Sequence, residues 1–181
     1  EENGVSAFEE ITESSFPGKW KVIYFYPKDD TPGCTDESLQ FRDLYARFKE
    51  LNCEIVGISR DSIKSHNSFK EKFSLPFDLL SDTDETVCEL YGVIKMKNMY
   101  GKQVRGIERS TFVVDTKGIL QKEWRGVKVP SHAEEVLSRE EAEHEQDDRE
   151  APVAELAVQR HVGCAAALQE ARALDEIGTR Q

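Results

Sequence analysis

Two apolar periodicities alternate in the first third of the chain. The run "KWKVIYFY", residues 19–26, is β-branched and aromatic, ends at Pro27, and predicts a buried strand. From Thr35 the apolar residues recur at helical spacing, and a second apolar run, "CEIVGIS", follows at residues 53–59. The order strand, helix, strand predicts a β-α-β unit with parallel strands and a right-handed crossover.

The alternation continues more weakly along the chain. "DSIKSHNSFKEKF" predicts a helix capped by Asp61, "LPFDLLSD" predicts a short edge strand, and "TDETVCELYGV" predicts a short helix. The segment "IKMKNMYGKQVRG" is interpreted as a long polar connection that borders either the active site or a subunit contact. The segments "ERSTFVVD" and "GILQKEWRG" predict an antiparallel hairpin, and "SHAEEVLSREEAE" predicts a last helix. This order predicts an α/β fold with a central mixed β-sheet flanked by helices.

The composition changes near residue 140. Residues 139–150 carry seven acidic residues against two arginines, and no aromatic Phe, Trp or Tyr follows Trp124. We therefore predict a folded domain over residues 1–139. Residues 140–181 are expected to form an acidic, Ala-rich C-terminal appendage, helical or disordered.

Charge and cysteine usage narrow the functional class. The net charge of −11 over 181 residues argues against nucleic acid and anionic membranes as partners. No signal peptide is visible, and the cysteines form no CxxC pair, so a reduced, cytoplasmic location is expected. The scattered histidines and the lack of a phosphate-binding loop motif predict neither a metal site nor a cofactor. The four cysteines are Cys34, Cys53, Cys88 and Cys164.

Cys34 is the candidate nucleophile. It follows a Thr-Pro-Gly turn at a predicted helix start, where the positive end of the helix dipole favours a thiolate and the amides of Gly33 and Cys34 can face an incoming oxygen. The alternative is a buried, inert cysteine. Four nearby acids oppose a thiolate, so a cation is required, and Arg109 is the candidate; alternatively Arg109 is an exposed arginine paired with Glu108 or Asp115. The four acids are Asp29, Asp30, Asp36 and Glu37.

The residues around Cys34 resemble a known family. Pro27, Thr31 and Cys34 match the Pro-x-x-x-Thr-x-x-Cys signature of the peroxiredoxins, and "FYPKDDTPGCTDES" followed by "FRD" is similar to the peroxiredoxin Q, or bacterioferritin-comigratory protein, branch. "RSTFVVD" matches the segment that carries the active-site arginine of that family. The resemblance covers about Phe8 to Leu137 and implies a thioredoxin-like fold. The stretch "AFEEITESSFPGKWKVIYFYPKD" is also similar to the alkyl hydroperoxide reductase branch.

The resemblance implies a thiol-dependent peroxidase that reduces hydrogen peroxide and organic hydroperoxides. Cys34 then corresponds to the peroxidatic cysteine, which becomes a sulfenic acid, and Arg109 to the guanidinium that keeps the thiolate charged. Thr31 corresponds to the hydroxyl that hydrogen-bonds the attacked oxygens, and Pro27 to the residue that shields the site from water. No cofactor is implied. The implied partners are the peroxide and thioredoxin or another thiol reductant, with the chain a monomer or homodimer.

The thiol that would resolve the sulfenic acid is not identified. Many members of the branch place it five residues after the peroxidatic cysteine, where this chain has Leu39, and others place it on the following helix, which has none here. Cys164 in the appendage and Cys88 on the short helix are both candidates. We expect one-cysteine turnover with an external thiol reductant. The alternative function is a non-catalytic redox sensor or binding module of thioredoxin-like fold.

Overall fold

The computed structural model describes residues 11–12 and 15–147. Within them the elements follow in the order β1 (Trp20–Phe25), α1 (Pro32–Glu50), β2 (Cys53–Ser59), α2 (Ile63–Phe73), β3 (Asp78–Ser81), α3 (Thr86–Leu90), β4 (Ile94–Met99), β5 (Lys102–Ile107), β6 (Ser110–Val114), β7 (Leu120–Arg125) and α4 (His132–Asp147).

Five strands form the central sheet in the order β3-β2-β1-β6-β7. The pairs β1–β2 and β2–β3 are parallel, whereas β1–β6 and β6–β7 are antiparallel. The mixed sheet, the parallel β-α-β unit and the last hairpin are confirmed. Strand β3 lies at a sheet edge, as the short apolar segment at residues 75–82 predicts.

Side chains that alternate along the strands supply one apolar cluster on each face of this sheet. Tyr24 stacks on Phe41 of α1, with ring centroids 4.9 Å apart, in the cluster that also contains buried residues of α2 and α4. Phe25 meets Phe112 edge to face, with centroids 5.6 Å apart, in the cluster that contains Cys88 of α3. Each fully buried phenylalanine contributes about 2 kcal/mol from its removal from water. Helices thus cover both faces, as predicted.

The prediction of a polar connection over residues 94–106 is wrong, because these residues belong to the two-stranded sheet β4–β5. Its turn is Tyr100-Gly101, with φ of 52° and 79°, which is typical of the tight turn that joins antiparallel strands. The usual Asn-Gly signal is missing, and most side chains on both faces are exposed, so no apolar alternation marks the strands. The hairpin is anchored at its base, where Ile107 is buried in the cluster of α3, and by Arg105, which pairs with Glu85 and Glu89.

Helix α4 runs through the predicted domain boundary. It extends to Asp147, and Glu140 is fully buried, so residues 140–147 of the predicted appendage belong to a helix that packs on α1. The remainder of the appendage, including Cys164, lies outside the described residues. No helix in the described part of the chain has the length and apolar character needed to cross a membrane.

Candidate active site

Cys34 lies in the first turn of α1. The helix begins at Pro32, earlier than its apolar spacing predicts, and Thr31 precedes it in an extended conformation. Proline is favoured here because its missing N–H would have no partner inside the helix. The amide of Thr35 donates to the carbonyl of Thr31 at 2.8 Å, so the amides of Gly33 and Cys34 precede the first helical hydrogen bond. The predicted placement of the thiol at a helix start is confirmed.

Arg109 contacts the Cys34 sulfur. Its Nη2 lies 3.3 Å from Sγ, and Cys34 is 1% exposed. A Cβ at Gly33 would lie 3.4 Å from Nη2, so the lack of a side chain there leaves room for this approach. The side chain of Arg109 is 15% exposed, which contradicts the alternative of an exposed strand-end arginine. The two residues that sequence reasoning paired are therefore in contact.

Glu37 is a part of the site that sequence reasoning missed. Its carboxylate accepts a hydrogen bond from Nη1 of Arg109, so one guanidinium contacts both Glu37 and Cys34. Glu37 is 1% exposed, and burial raises its pKa to about 7, although Arg109 acts in the opposite direction. The available signal was the spacing, since an acid three residues after a cysteine shares its helix face. From the sequence alone, the same acid is one of four that oppose a thiolate.

Thr31 and Pro27 belong to the loop that leads into α1. The Thr31 hydroxyl donates to the carbonyl of Lys28 at 2.9 Å, so its oxygen keeps free lone pairs. Pro27 is half-buried in the same loop. Their predicted roles toward a peroxide stay predictions.

The same loop is anchored to α2 through the buried side chain of Asp29. Its carboxylate accepts hydrogen bonds from Tyr26 and from Ser65, both at 2.7 Å. It also lies 2.9 Å from Nδ1 of His66. Although burial acts the other way, these partners hold the pKa of Asp29 below its usual value. The Nε2 of His66 lies 3.1 Å from the carbonyl of Leu80, so the ring bridges Asp29 and the end of β3.

Asp61 supports this loop instead of capping α2 as predicted. The capping residue is Ser62, whose hydroxyl accepts from the amide of Ser65 at 3.3 Å. The Asp61 carboxylate accepts from the amide of Asp29 at 2.9 Å and from the hydroxyl of Ser59 at 2.7 Å. Because Ser62 caps the helix, the side chain of Asp61 is free to hold the loop that leads to Cys34.

Lys97 of β4 brings the hairpin to the border of this site. Its ammonium donates to the carbonyl of Ile107, two residues before Arg109. Burial lowers the pKa of Lys97 and the charge of Arg109 adds to the effect, while Cys34 acts in the opposite direction. Lys97 is thus close enough to interact electrostatically with both active-site groups, which favours the interpretation that this segment borders the active site.

The other cysteines of the described residues are part of the core. Cys53 and Cys88 are both fully buried, and burial raises the pKa of each thiol. Cys88 belongs to the cluster on the opposite face of the sheet from Cys34. A buried neutral thiol is a poor nucleophile, so this arrangement gives Cys88 no support as a resolving thiol. Cys164 lies outside the described residues.

The site places a cation beside the sulfur of Cys34. Cys34 lies in the first turn of α1 and the guanidinium of Arg109 contacts its sulfur, an arrangement that can stabilise negative charge that develops there during a reaction. Among residues 11–12 and 15–147 there is no group of three or more His, Cys, Asp or Glu side chains that would hold a metal ion.

Known proteins are similar to this chain in sequence and in structure. The model of the AhpC/TSA family matches residues 3–123. Peroxiredoxin Bcp of Xanthomonas campestris is 54% identical over 121 residues, which are 67% of this chain and 76% of the relative. Peroxiredoxin Bcp of Bacillus subtilis is 50% identical over 129 residues, 71% of this chain and 82% of the relative. A structure of the X. campestris bacterioferritin comigratory protein, studied for alkyl peroxide reduction, is similar with a TM-score of 0.69 and 51% identity, covering 71% of this chain and 82% of the other.

Proposed function

This chain belongs to the AhpC/TSA family, in its Bcp or peroxiredoxin Q branch, and we propose that Cys34 is the peroxidatic cysteine. Membership brings the thioredoxin-like fold and the activity of a thiol-dependent peroxidase. The identity of the reacting residues is our proposal, and it rests on one observation above all: the 3.3 Å contact of the Arg109 guanidinium with Sγ of Cys34 at a helix start.

The reaction at Cys34 is a two-electron displacement. The thiolate attacks one peroxide oxygen, an S–O bond forms, and the O–O bond breaks. The leaving oxygen takes up a proton and departs as water or an alcohol, and Cys34 becomes a sulfenic acid. Arg109 donates to the developing negative charge, and the free lone pairs of the Thr31 hydroxyl accept from the peroxide O–H.

We propose hydrogen peroxide and organic hydroperoxides as substrates. The X. campestris relative was studied for alkyl peroxide reduction, which supports the organic class. A thiol that is 1% exposed favours entry of a slender hydroperoxide group over contact with bulk solvent. Pro27, half-buried in the loop before α1, is proposed to shield the sulfur from water.

We propose one-cysteine turnover, in which an external thiol restores Cys34. Leu39 occupies the first position at which relatives carry a resolving cysteine, and α2 contains none. We expect thioredoxin or another thiol reductant to supply that thiol in a cytoplasmic, reducing environment. Cys34, Cys53 and Cys88 are all unpaired thiols, in keeping with such a compartment.

Steady consumption of hydrogen peroxide with dithiothreitol tests the assignment. Cys34→Ser should abolish consumption, because the nucleophile is lost, while Cys164→Ser should retain it. A Cys34→Ser variant with undiminished turnover would refute the assignment. Oxidation of Cys34 once per chain, without steady consumption, would favour the redox-sensor alternative instead.

A further inference from the structure

We propose that one face of the β4–β5 hairpin docks the protein that reduces Cys34, and that this partner is a dithiol protein with an acidic, partly apolar surface around its reactive thiol. The inference rests on the proposed function, and it adds the location of the reductant's binding site.

The register of the hairpin defines the face. Lys97 pairs with Val104, Lys95 with Gly106, and Met99 with Lys102, and cross-strand partners share a face. We use the term reductant face for Lys95, Lys102 and Val104 together with Tyr100 at the turn. Lys97 lies on the same side, at its inner border.

The reductant face adjoins the reacting sulfur. Lys97 donates to the carbonyl of Ile107, and its charge interacts with those of Cys34 and Arg109. The chain continues from Ile107 through one residue to Arg109, which contacts the thiol. A protein bound to this face would hold its thiol at the border of the site.

One-cysteine turnover, as proposed above, requires a partner to bring the thiol. Cys34 is almost fully buried, and the other thiols of the described part of the chain, Cys53 and Cys88, are fully buried in the core. The partner's thiolate attacks the Cys34 sulfenic sulfur, a mixed disulfide forms and water leaves with the partner's proton. A second thiol of the partner then attacks the mixed disulfide, which releases Cys34 as a thiolate and oxidises the partner by two electrons.

The chemistry of the reductant face selects its partner. The reductant face together with Lys97 carries three lysines and no acidic residue, in a chain whose net charge is −11. Arg105 lies on the opposite face of the hairpin and pairs with Glu85 and Glu89. Tyr100 is fully exposed and Val104 is 41% exposed, and an exposed tyrosine next to apolar area is typical of contact surfaces. The complement is a surface that combines acidic and apolar groups, and its attraction would speed association at low salt. A second copy of this chain is also acidic, but its described thiols other than Cys34 are buried and do not supply the reducing group.

The test compares a protein reductant with a small one. The double variant Lys95→Glu/Lys102→Glu and the variant Tyr100→Ser are assayed with thioredoxin, recycled by its reductase and NADPH, and with dithiothreitol, which needs no docking. The ratio of thioredoxin-supported to dithiothreitol-supported kcat/KM should fall about tenfold in the charge variant, and the wild-type ratio should fall as salt rises.

Matched controls come from the β6–β7 hairpin. Lys117→Glu and Ile119→Ser change an exposed cation and an exposed apolar residue at the turn after β6, the end of that strand remote from Arg109. They should leave the ratio near the wild-type value. An unchanged ratio in both reductant-face variants overturns the inference. A change of oligomeric state in these variants without a change in ratio also overturns it, because the face would then be a contact between copies of this chain. Absence of peroxide consumption with dithiothreitol in the wild type would instead overturn the proposed function.

Discussion

Arg109 contacts two buried groups that compete for its positive charge. One arm of its guanidinium contacts the Cys34 sulfur and the other contacts the Glu37 carboxylate. The contact with sulfur places a positive charge beside Cys34, whereas an ionised Glu37 competes for the same charge. We therefore expect the reactivity of Cys34 to depend on how the cation is shared.

Replacing the cation tests its part in catalysis. Arg109→Met should lower the second-order rate with hydrogen peroxide about 100-fold, because a donor to the developing charge is lost. Iodoacetamide should also alkylate Cys34 more slowly at neutral pH. Arg109→Lys keeps the charge without the two-armed geometry, so its rate should lie between the two. Equal rates in all three proteins would remove Arg109 from the site.

Glu37 predicts a pH dependence of the peroxide rate. With a pKa of about 7 it is neutral in mildly acidic solution and ionised above neutrality, where we expect its charge to compete with the sulfur for the charge of Arg109. Glu37→Gln stays neutral, so at pH 8.5 it should react about threefold faster than wild type, and at pH 6 the two should agree. Stopped-flow rates across this range provide the measurement. A variant slower than wild type at every pH would show that the carboxylate is needed for another reason.

Among the secondary-structure elements, the sequence predicts the strands that cross the core and misses the β4–β5 hairpin, which lies outside the core. Strands β1 and β2 are recognised because nearly every residue is buried and apolar. The β4–β5 hairpin is missed because most of its side chains face solvent, and its turn depends on a positive φ at Tyr100, a residue that gives no such signal. Composition also misplaces the end of the domain, since the acidic run begins inside α4.

Helix α4 carries a buried acid without a partner among the described residues. Both carboxyl oxygens of Glu140 are buried and lack a hydrogen bond there. Burial raises its pKa to about 8, and Glu143 adds to the shift. The folded protein therefore holds this proton more tightly than the unfolded chain does. The stability that follows is complete below the ordinary pKa of a glutamate, 4.5, and is lost as the pH rises through about 8.

Glu140→Gln tests this consequence. The wild type should lose about 3 kcal/mol of unfolding free energy between pH 5 and pH 8 that the variant does not lose. Urea denaturation at both pH values gives the difference. Glu134→Gln, an exposed position on the same helix, should follow the wild type. A Glu140→Gln variant with the same pH slope as wild type would contradict the assignment.

At the scale of the whole molecule, chain topology assembles the site from distant segments. The position of Cys34 and its loop can be predicted from the local sequence, because the turn, the proline and the helix start are contiguous. Arg109 was a candidate cation because it begins an apolar strand, the resemblance to a family gave it a role, and the structure places it against the sulfur. Glu37 and the anchor of Asp29 to His66 were not predicted, because their roles depend on burial and on the approach of other elements. Pairing across 72 residues, as between Arg109 and Glu37, has no local signal.

The positions of the cysteines in the whole molecule bear on how oxidised Cys34 is returned to a thiol. In the part of the chain that the structure describes, every cysteine other than Cys34 is buried in the core, and the positions where relatives carry a resolving thiol hold other residues. The monomer or homodimer expected from the sequence stays a prediction. We propose that Cys34 is the sole redox-active thiol of the chain.

Intact-protein and peptide mass spectrometry after one equivalent of hydrogen peroxide tests this claim most directly. The reaction is quenched with dimedone, which traps sulfenic acids, and digested without reductant. We expect one dimedone adduct per chain, located on the peptide that contains Cys34, and no disulfide involving Cys53, Cys88 or Cys164. A stoichiometric disulfide between Cys34 and one of these cysteines would contradict one-cysteine turnover, and an unmodified Cys34 would contradict the account as a whole.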